Sequence, residues 1–123
     1  KLFKVNITFG ELKQEMSEAK IGLHTMWNEH FGIAVVEMLA AGLITIAHRS
    51  GGPLMDIVNE SAESQTGFLA IHDYEYAECI KQILEMPTDA LENMIEKSRA
   101  SVNIFSDKVF ESDWIRVTSS LIT

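Results

Sequence analysis

The sequence contains little of several things that would point to particular functions. Of its 123 residues one is cysteine, Cys79, and two are proline. A single cysteine excludes an intrachain disulfide and is typical of a reducing compartment, and its place in an apolar helical pattern indicates packing. No apolar run approaches the roughly 20 residues that cross a bilayer. The chain opens without a leader of signal-peptide type, and we expect it to be a piece of a longer protein.

Positive charge is also scarce. The sequence has 10 Lys and Arg residues against 18 Asp and Glu residues, a net charge of −8. Nucleic acids and anionic lipid surfaces attract basic faces, so this balance argues against either as a direct partner of the segment. An anionic ligand would need local attraction from helix N-termini, backbone amides, Arg49 or the histidines.

The order of apolar and polar runs predicts strands that alternate with helices. Strands are predicted over Val5–Phe9, Lys20–His24, Leu43–Ala47 and Gly67–Ile71. Helices are predicted over Glu11–Ala19, Phe31–Ala41, Pro53–Asn59, from Asp73 to Met86, Asp89–Val102 and Asp107–Leu121. Alternation at this spacing indicates βαβ units, and therefore an α/β fold with a parallel sheet and flanking helices that ends in helices. The length fits one domain over residues 1–123.

The helix predicted over Phe31–Ala41 carries a carboxylate in an apolar setting. Its sequence is apolar on every side, which predicts burial all round, and Gly42 is its natural C-terminal stop. Burying an unpaired charge is strongly unfavourable, so Glu37 would need a partner. Its neighbours one turn away are Ile33 and three alanines, which leave room for a ligand with hydroxyl groups. A glutamate that escapes to solvent at the rim of the helix is the equally open alternative.

Ligands of parallel sheets bind beyond the carboxyl ends of the strands, where loops lead into helix N-termini. Three predicted loops occupy such positions and together outline a pocket rim: Thr8–Leu12, Thr25–Gly32 and His48–Pro53. Glu29-His30-Phe31-Gly32 leads into a helix whose first amides suit phosphate or sugar oxygens, and Gly32 would let a ligand approach closely. Ser50-Gly51-Gly52-Pro53 is the second candidate. For either loop alone, a turn that binds no ligand is the alternative.

Other chemistries fit these residues poorly. His24, Glu29 and His30 lack the helical two-histidine spacing of zinc proteases, so we expect no metal site. Glu29 and Glu37 are eight residues apart, which on a continuous helix is about 12 Å. Carboxylates that flank one glycosidic bond lie closer, at about 5–9.5 Å. The spacing therefore favours two contacts at opposite ends of one extended ligand, such as a nucleotide sugar.

The segment from Glu29 to Gly42 resembles the Glu-x7-Glu motif of retaining glycosyltransferases of the GT-B fold, family 4. Ser50-Gly51-Gly52-Pro53, Asp56-Ile57-Val58 and Thr66-Gly67-Phe68-Leu69 match further landmarks of that family in order and spacing. The resemblance implies that residues 1–123 are the Rossmann-like C-terminal half of such an enzyme, a single domain for the sugar-nucleotide donor that is incomplete at its N-terminus. 

Finer details narrow the resemblance. The stretches 24–32 and 48–53 are similar to those of members that transfer mannose from GDP-mannose, in α-1,2 linkage, to a dolichol-diphosphate-linked oligosaccharide. Such members act at the cytosolic face of the endoplasmic reticulum membrane, and they use GDP-mannose as a substrate without a metal or other cofactor. Two alternatives stay open: a non-catalytic module that binds a nucleotide sugar, and a family 4 transferase that uses a UDP- or ADP-sugar.

The same resemblance implies roles for individual residues. Glu29 would be the catalytic residue, which holds hydroxyls of the donor sugar and helps to fix the transition state. Glu37 would bind the ribose hydroxyls, and the Thr8–Leu12 loop would lie near the guanine. The remaining donor-binding residues would contribute mainly backbone groups: His30, Phe31, Gly32, Ile33, Gly51 and Gly52.

Parts of the family pattern are absent from this sequence. The basic Arg/Lys pair that neutralises the diphosphate lies upstream of such a segment, as does the N-terminal domain that takes the acceptor. We therefore expect acceptor and membrane contacts to be made by parts outside this chain. We also expect the chain alone to be unable to transfer sugar.

Overall fold

The structure, a computed structural model, describes residues 2–122. Three strands form one parallel sheet in the order β1-β2-β3: β1 Ile21–His24, β2 Ile44–His48 and β3 Phe68–Ala70. The α-helices are α1 Phe9–Glu18, α2 Ile33–Ala41, α3 Asp73–Glu85, α4 Thr88–Val102 and α5 Asp107–Ile122. A π-helical turn covers Pro53–Ile57, and a 3-10 turn covers Asn103–Phe105. The predicted α/β fold, with a parallel sheet that is followed by helices, is confirmed.

The middle strand, β2, separates two apolar clusters. Ile44 and Ile46 pack on one face of the sheet with residues of α3 and α4, whereas Ala47 packs on the other face with α2. Residues 44–47 are all buried. A continuous β-branched run is typical of a parallel strand that is covered on both faces, and this is why the predicted Leu43–Ala47 strand is confirmed to within one residue.

The first predicted strand, Val5–Phe9, is wrong. Thr8 caps α1 instead: its hydroxyl accepts a hydrogen bond from the Glu11 amide at 3.2 Å, and the Glu11 carboxylate accepts one from the Thr8 amide at 2.7 Å. The bond from the Thr8 amide, and a further one that the Thr8 hydroxyl donates to the same carboxylate at 2.8 Å, lower the pKa of the Glu11 carboxyl. The reciprocal arrangement is a helix-start signal that outweighs the β-branched residues before it. The predicted Thr8–Leu12 loop is therefore the cap and first turn of α1.

Helix α2 is buried on one face only, which corrects the expectation of burial all round. Val35, Val36 and Leu39 are buried against the sheet and α4. Ile33 is 60% exposed, and Ala34 and Ala40 are exposed as well. A helix on one face of a sheet has only one side to bury, even where its sequence is apolar throughout. Gly42, with φ of 90°, ends the helix as predicted.

Helix α3 packs on the sheet through Tyr76 and Ile83, both of which are buried. Cys79 is half-buried against the same apolar cluster, and this burial raises the pKa of its thiol. The packing role that the sequence predicts for Cys79 is thereby confirmed.

None of the described helices combines the length and apolar character needed to cross a membrane.

Candidate functional site

The carboxyl ends of β1 and β2 bring two of the predicted loops together. β1 ends at His24 and β2 at His48. The Asn28 amide donates to the Ser50 hydroxyl at 2.8 Å, and the Gly52 amide donates to the Glu29 carbonyl at 2.9 Å. The loops that follow the two strands are therefore bonded to each other at one edge of the sheet.

Gly51 and Gly52 are required by this close approach. Gly51 has φ of 55°, and a Cβ placed on it would stand 2.1 Å from the Glu29 carbonyl oxygen. A Cβ on Gly52 would stand 2.0 Å from the Phe31 carbonyl oxygen. Neither distance admits a side chain, so the two glycines fix the path of the Glu29–Phe31 segment. The Gly52 amide is already bonded to the Glu29 carbonyl, so its contribution to a ligand site is indirect.

Helix α2 begins without a side-chain cap. Its N-cap residue is Gly32, which has left-handed φ and ψ of 107° and 53° and no side chain to offer. The first helical bonds run from the amides of Val35 and Val36 to the Gly32 carbonyl, at 2.9 and 3.2 Å. Within residues 2–122, no acceptor meets the amides of Phe31, Gly32 or Ile33. Open amides at the positive end of a helix dipole are suited to bind an anion or sugar oxygens.

Glu29 lies in the loop that leads into α2. Its Oε1 accepts a hydrogen bond from the His30 amide at 3.1 Å, and its Oε2 lies 3.7 Å from His24 Nε2. A quarter of the side chain, 25%, is exposed. The carboxylate is therefore partly shielded from solvent and lies between a histidine and the amides that precede the helix.

Glu37 is half-buried in the second turn of α2. Its carboxylate has no hydrogen-bond or ion-pair partner among residues 2–122. Ala34 and Ala40, one turn away, are exposed, so the surface beside Glu37 is open. This arrangement lies between the full burial and the escape to solvent that the sequence left open.

The continuous helix on which the predicted separation of the two glutamates depends is not present. Helix α2 begins at Ile33 rather than at Phe31, so only the four steps from Ile33 to Glu37 are helical. Those steps advance about 6 Å along the axis, and the remaining path from Glu29 is an irregular loop. The figure of about 12 Å assumed a continuous helix, which Gly32 prevents by its left-handed backbone.

Arg49 is engaged away from the open amides. Its guanidinium makes two bonds to the Glu60 carboxylate, at 2.6 and 3.0 Å, and a third to the Leu69 carbonyl at 3.0 Å. A bidentate pair of this kind neutralises the arginine and ties the loop after β2 to β3. Local attraction for an anion therefore falls to the backbone amides and the histidines. Among the described residues, no group of three or more His, Cys, Asp or Glu side chains is placed to hold a metal ion.

The family model for glycosyl transferases group 1 matches residues 3–101. The chain belongs to this family. Both glutamates and both bonded loops lie within the matched range, so the resemblance seen in the motifs extends over most of the chain.

Three curated relatives of this group 1 glycosyl transferase share one name. The "GDP-Man:Man(3)GlcNAc(2)-PP-Dol alpha-1,2-mannosyltransferase" of Homo sapiens is 52% identical over 119 residues, covering 97% of this chain and 24% of that protein. The protein of the same name from Xenopus laevis is 50% identical over 119 residues, which cover 97% of this chain and 24% of that protein. The protein of the same name from Dictyostelium discoideum is 44% identical over 120 residues, which cover 98% of this chain and 23% of that protein. The chain spans about a quarter of the length of these relatives.

A solved structure shows the same fold. Sucrose-phosphate synthase from Thermosynechococcus elongatus matches this group 1 glycosyl transferase with a TM-score of 0.72 and 23% identity, covering 98% of this chain and 30% of the other. This likeness confirms the predicted fold class, the Rossmann-like C-terminal half of a GT-B glycosyltransferase.

Three residues that organise the site were not among the predicted site residues: His24, Ser50 and Tyr76. The Ser50 hydroxyl bonds both the Asn28 amide and His48 Nδ1, the latter at 2.8 Å. The Tyr76 hydroxyl donates to the His24 carbonyl at 3.1 Å. His24 itself approaches Glu29. The sequence contained one feature that could have indicated the histidines, namely their position at strand ends. His24 and His48 both end strands and therefore stand at the ligand-binding edge of a parallel sheet.

Proposed function

We propose that this chain is the donor-binding domain, incomplete at its N-terminus, of a retaining mannosyltransferase. The whole enzyme would move mannose from GDP-mannose, in α-1,2 linkage, to a dolichol-diphosphate-linked oligosaccharide. The observation that carries the proposal is the uncapped start of α2 beside Glu29. Close relatives named for this reaction support the choice of donor and acceptor.

The donor would lie along the start of α2. The open amides of Phe31, Gly32 and Ile33 would bind diphosphate and sugar oxygens, and the His30 amide would join them by exchanging its bond to Glu29. Glu37 would accept hydrogen bonds from the two ribose hydroxyls, which suits a half-buried carboxylate without a protein partner. Gly51 and Gly52 would serve by holding the Glu29–Phe31 segment in place.

The proposed transfer of mannose places negative charge on the leaving diphosphate and positive charge on the sugar ring. The bond between the sugar C1 and the diphosphate oxygen breaks, and the acceptor hydroxyl forms a new bond to C1 on the same face. The acceptor proton passes to the departing phosphate, so GDP leaves and the anomeric configuration is retained. Helix amides would stabilise the leaving diphosphate, and Glu29 would orient the sugar hydroxyls and stabilise positive charge on the ring. We expect the reaction to need no metal or other cofactor.

The cellular setting would be the cytosolic face of the endoplasmic reticulum membrane, where the dolichol-linked acceptor is held. The acceptor and the membrane would be met by parts of the protein outside this chain. The same holds for the basic residues that neutralise the diphosphate, since Arg49 is paired with Glu60.

The test is a transfer assay on the full-length protein with radiolabelled GDP-mannose and the lipid-linked acceptor. Glu29→Ala should lower turnover by about 10²- to 10³-fold, the cost of removing one group that stabilises developing charge. Glu111→Ala, which removes an exposed carboxylate on α5, should leave turnover unchanged. Unchanged transfer after Glu29→Ala would instead identify a binding module that does not catalyse the reaction.

The donor base is tested separately. GDP, UDP and ADP are each used to compete with labelled GDP-mannose for the full-length protein. GDP should compete most strongly. Stronger competition by UDP or ADP would replace GDP-mannose with another nucleotide sugar and leave the proposed domain role intact.

A further inference from the structure

We infer that His24 is a positioning residue for Glu29, which it holds through its Nε2–H group. This inference rests on the proposed function, in which Glu29 is the catalytic carboxylate. His24 is the last residue of β1, and its side chain is 14% exposed. Its Nε2 lies 3.7 Å from Glu29 Oε2, on the side of the carboxylate away from the His30 amide bond to Oε1.

The hydrogen bonds around the imidazole determine which nitrogen carries the proton. His24 Nδ1 is buried and has no hydrogen-bond partner within the described residues. A buried N–H group without an acceptor is less favourable than a buried nitrogen that only lacks a donor. The proton of the neutral ring therefore belongs on Nε2, the nitrogen that faces Glu29.

The backbone of His24 is held from two directions. In the sheet it pairs with Ala47 of β2, and from α3 the Tyr76 hydroxyl donates to its carbonyl at 3.1 Å. Burial raises the pKa of Tyr76, so this hydroxyl keeps its proton and remains a donor. The backbone that carries the ring is thus held by two secondary-structure elements, whereas Glu29 belongs to a loop.

The contact of 3.7 Å is longer than a hydrogen bond. Catalytic contacts are often long before the substrate binds and shorten in the complex. When the donor binds and the His30 amide exchanges its bond to Glu29, the Nε2–H group of His24 is placed to hold the carboxylate. A misplacement of about 1 Å at such a group can lower turnover about 100-fold.

The test compares two replacements in the full-length protein. Glutamine places an amide N–H near the position of the histidine Nε2, whereas asparagine reaches only the position of Nδ1. His24→Asn should lower kcat by about 10- to 100-fold and change KM for GDP-mannose little. His24→Gln should restore most of kcat. Equal loss in both variants, or an effect on KM alone, would overturn the inference.

Two further variants keep the test decisive. Tyr76→Phe removes only the hydroxyl that holds the His24 carbonyl, and it should lower kcat severalfold with unchanged nucleotide affinity. If His24→Asn fails to fold, an unchanged kcat in Tyr76→Phe overturns the inference. In a Glu29→Ala background, which leaves no acceptor for His24, adding His24→Asn should cost no more than about twofold further, because coupled residues are not additive.

The outcomes separate this inference from the proposed function. Loss of turnover in Glu29→Ala with normal kcat in both His24 variants would overturn only the role of His24. Absence of mannose transfer by the unmodified protein, or full activity of Glu29→Ala, would overturn the proposed function itself.

Discussion

Single residues determine whether the two loops at the sheet edge can meet. Gly52 lies so close to the Phe31 carbonyl that a Cβ would come within 2.0 Å of its oxygen. Gly52→Ala must therefore displace the start of α2, and we expect mannose transfer by the full-length protein to fall at least about 100-fold. The assay is paired with a thermal melt, in which Tm should also fall.

The matched control for Gly52 is Gly10, in the first turn of α1. A Cβ on Gly10 would meet only the Thr8 hydroxyl, at 3.9 Å. Gly10→Ala should lower transfer far less than Gly52→Ala does, and it should raise stability by up to about 1 kcal/mol, because alanine favours a helix. Similar losses in both glycine variants would show that the loops do not need the close approach.

Cys79 provides a second test at the residue scale. Burial raises the pKa of its thiol, and the nearby Glu60 carboxylate raises it further. A raised pKa leaves less thiolate at neutral pH, and the thiolate is the form that reacts. Alkylation of Cys79 by iodoacetamide at pH 7.5, followed by mass spectrometry of its peptide, should be at least about tenfold slower in the folded protein than in urea. Equal rates would contradict the packing role.

The sequence predicts the candidate site residues, but it does not predict which residues they bond to. Glu29, Glu37 and the glycine loops were predicted as site residues from their spacing, their residue types and the family resemblance. The bonds from Ser50 to Asn28 and His48, and the approach of His24 to Glu29, could not be, because they join residues of different loops and strands. Such contacts depend on strand register, which local patterns do not specify.

Among the secondary-structure elements, α2 presents the site, and its C-terminal end is held by α4. Arg99 Nε and Nη2 donate to the carbonyls of Ala40 and Ala41, at 3.3 and 3.0 Å. Bonds from a cation to the last carbonyls of a helix satisfy groups that the helix cannot pair itself. Arg99→Ala should therefore lower the free energy of unfolding by about 1–2 kcal/mol, as measured by urea denaturation.

Arg116 is the control for Arg99. It forms an exposed pair with Asp113, three residues earlier on α5, at 3.0 Å. Exposed pairs contribute little, so Arg116→Ala should change the free energy of unfolding by less than about 0.5 kcal/mol. Equal effects of the two substitutions would indicate that Arg99 does not stabilise α2.

The strands and helices were predictable where one signal dominated. β2 and α2 are encoded by a β-branched run and by an apolar run that ends at Gly42. The error at Val5–Phe9 arose because β-branched residues were weighed above the Thr8–Glu11 capping box, which fixes the helix start locally. The error over the buried sides of α2 arose because apolar content alone does not say how many sides a fold covers.

At the scale of the whole molecule, this chain supplies one side of a proposed two-sided site. The chain alone has a net charge of −8, and its Arg49 is neutralised by Glu60. The chain therefore offers backbone amides to a diphosphate but little positive charge to neutralise it. We expect the chain alone to transfer no mannose in the radiolabelled assay, whereas the full-length protein does. Turnover by the chain alone would contradict the proposed division between donor and acceptor domains.

The most direct test of the account is calorimetry of GDP binding to the full-length protein and to its Glu37→Ala variant. Loss of two ribose hydrogen bonds to a half-buried carboxylate should weaken binding by at least about tenfold. Glu29→Ala should bind GDP within about twofold of the unmodified protein, because its contacts are to the sugar. Unchanged GDP affinity in Glu37→Ala would contradict the proposal that the start of α2 and Glu37 hold a sugar nucleotide.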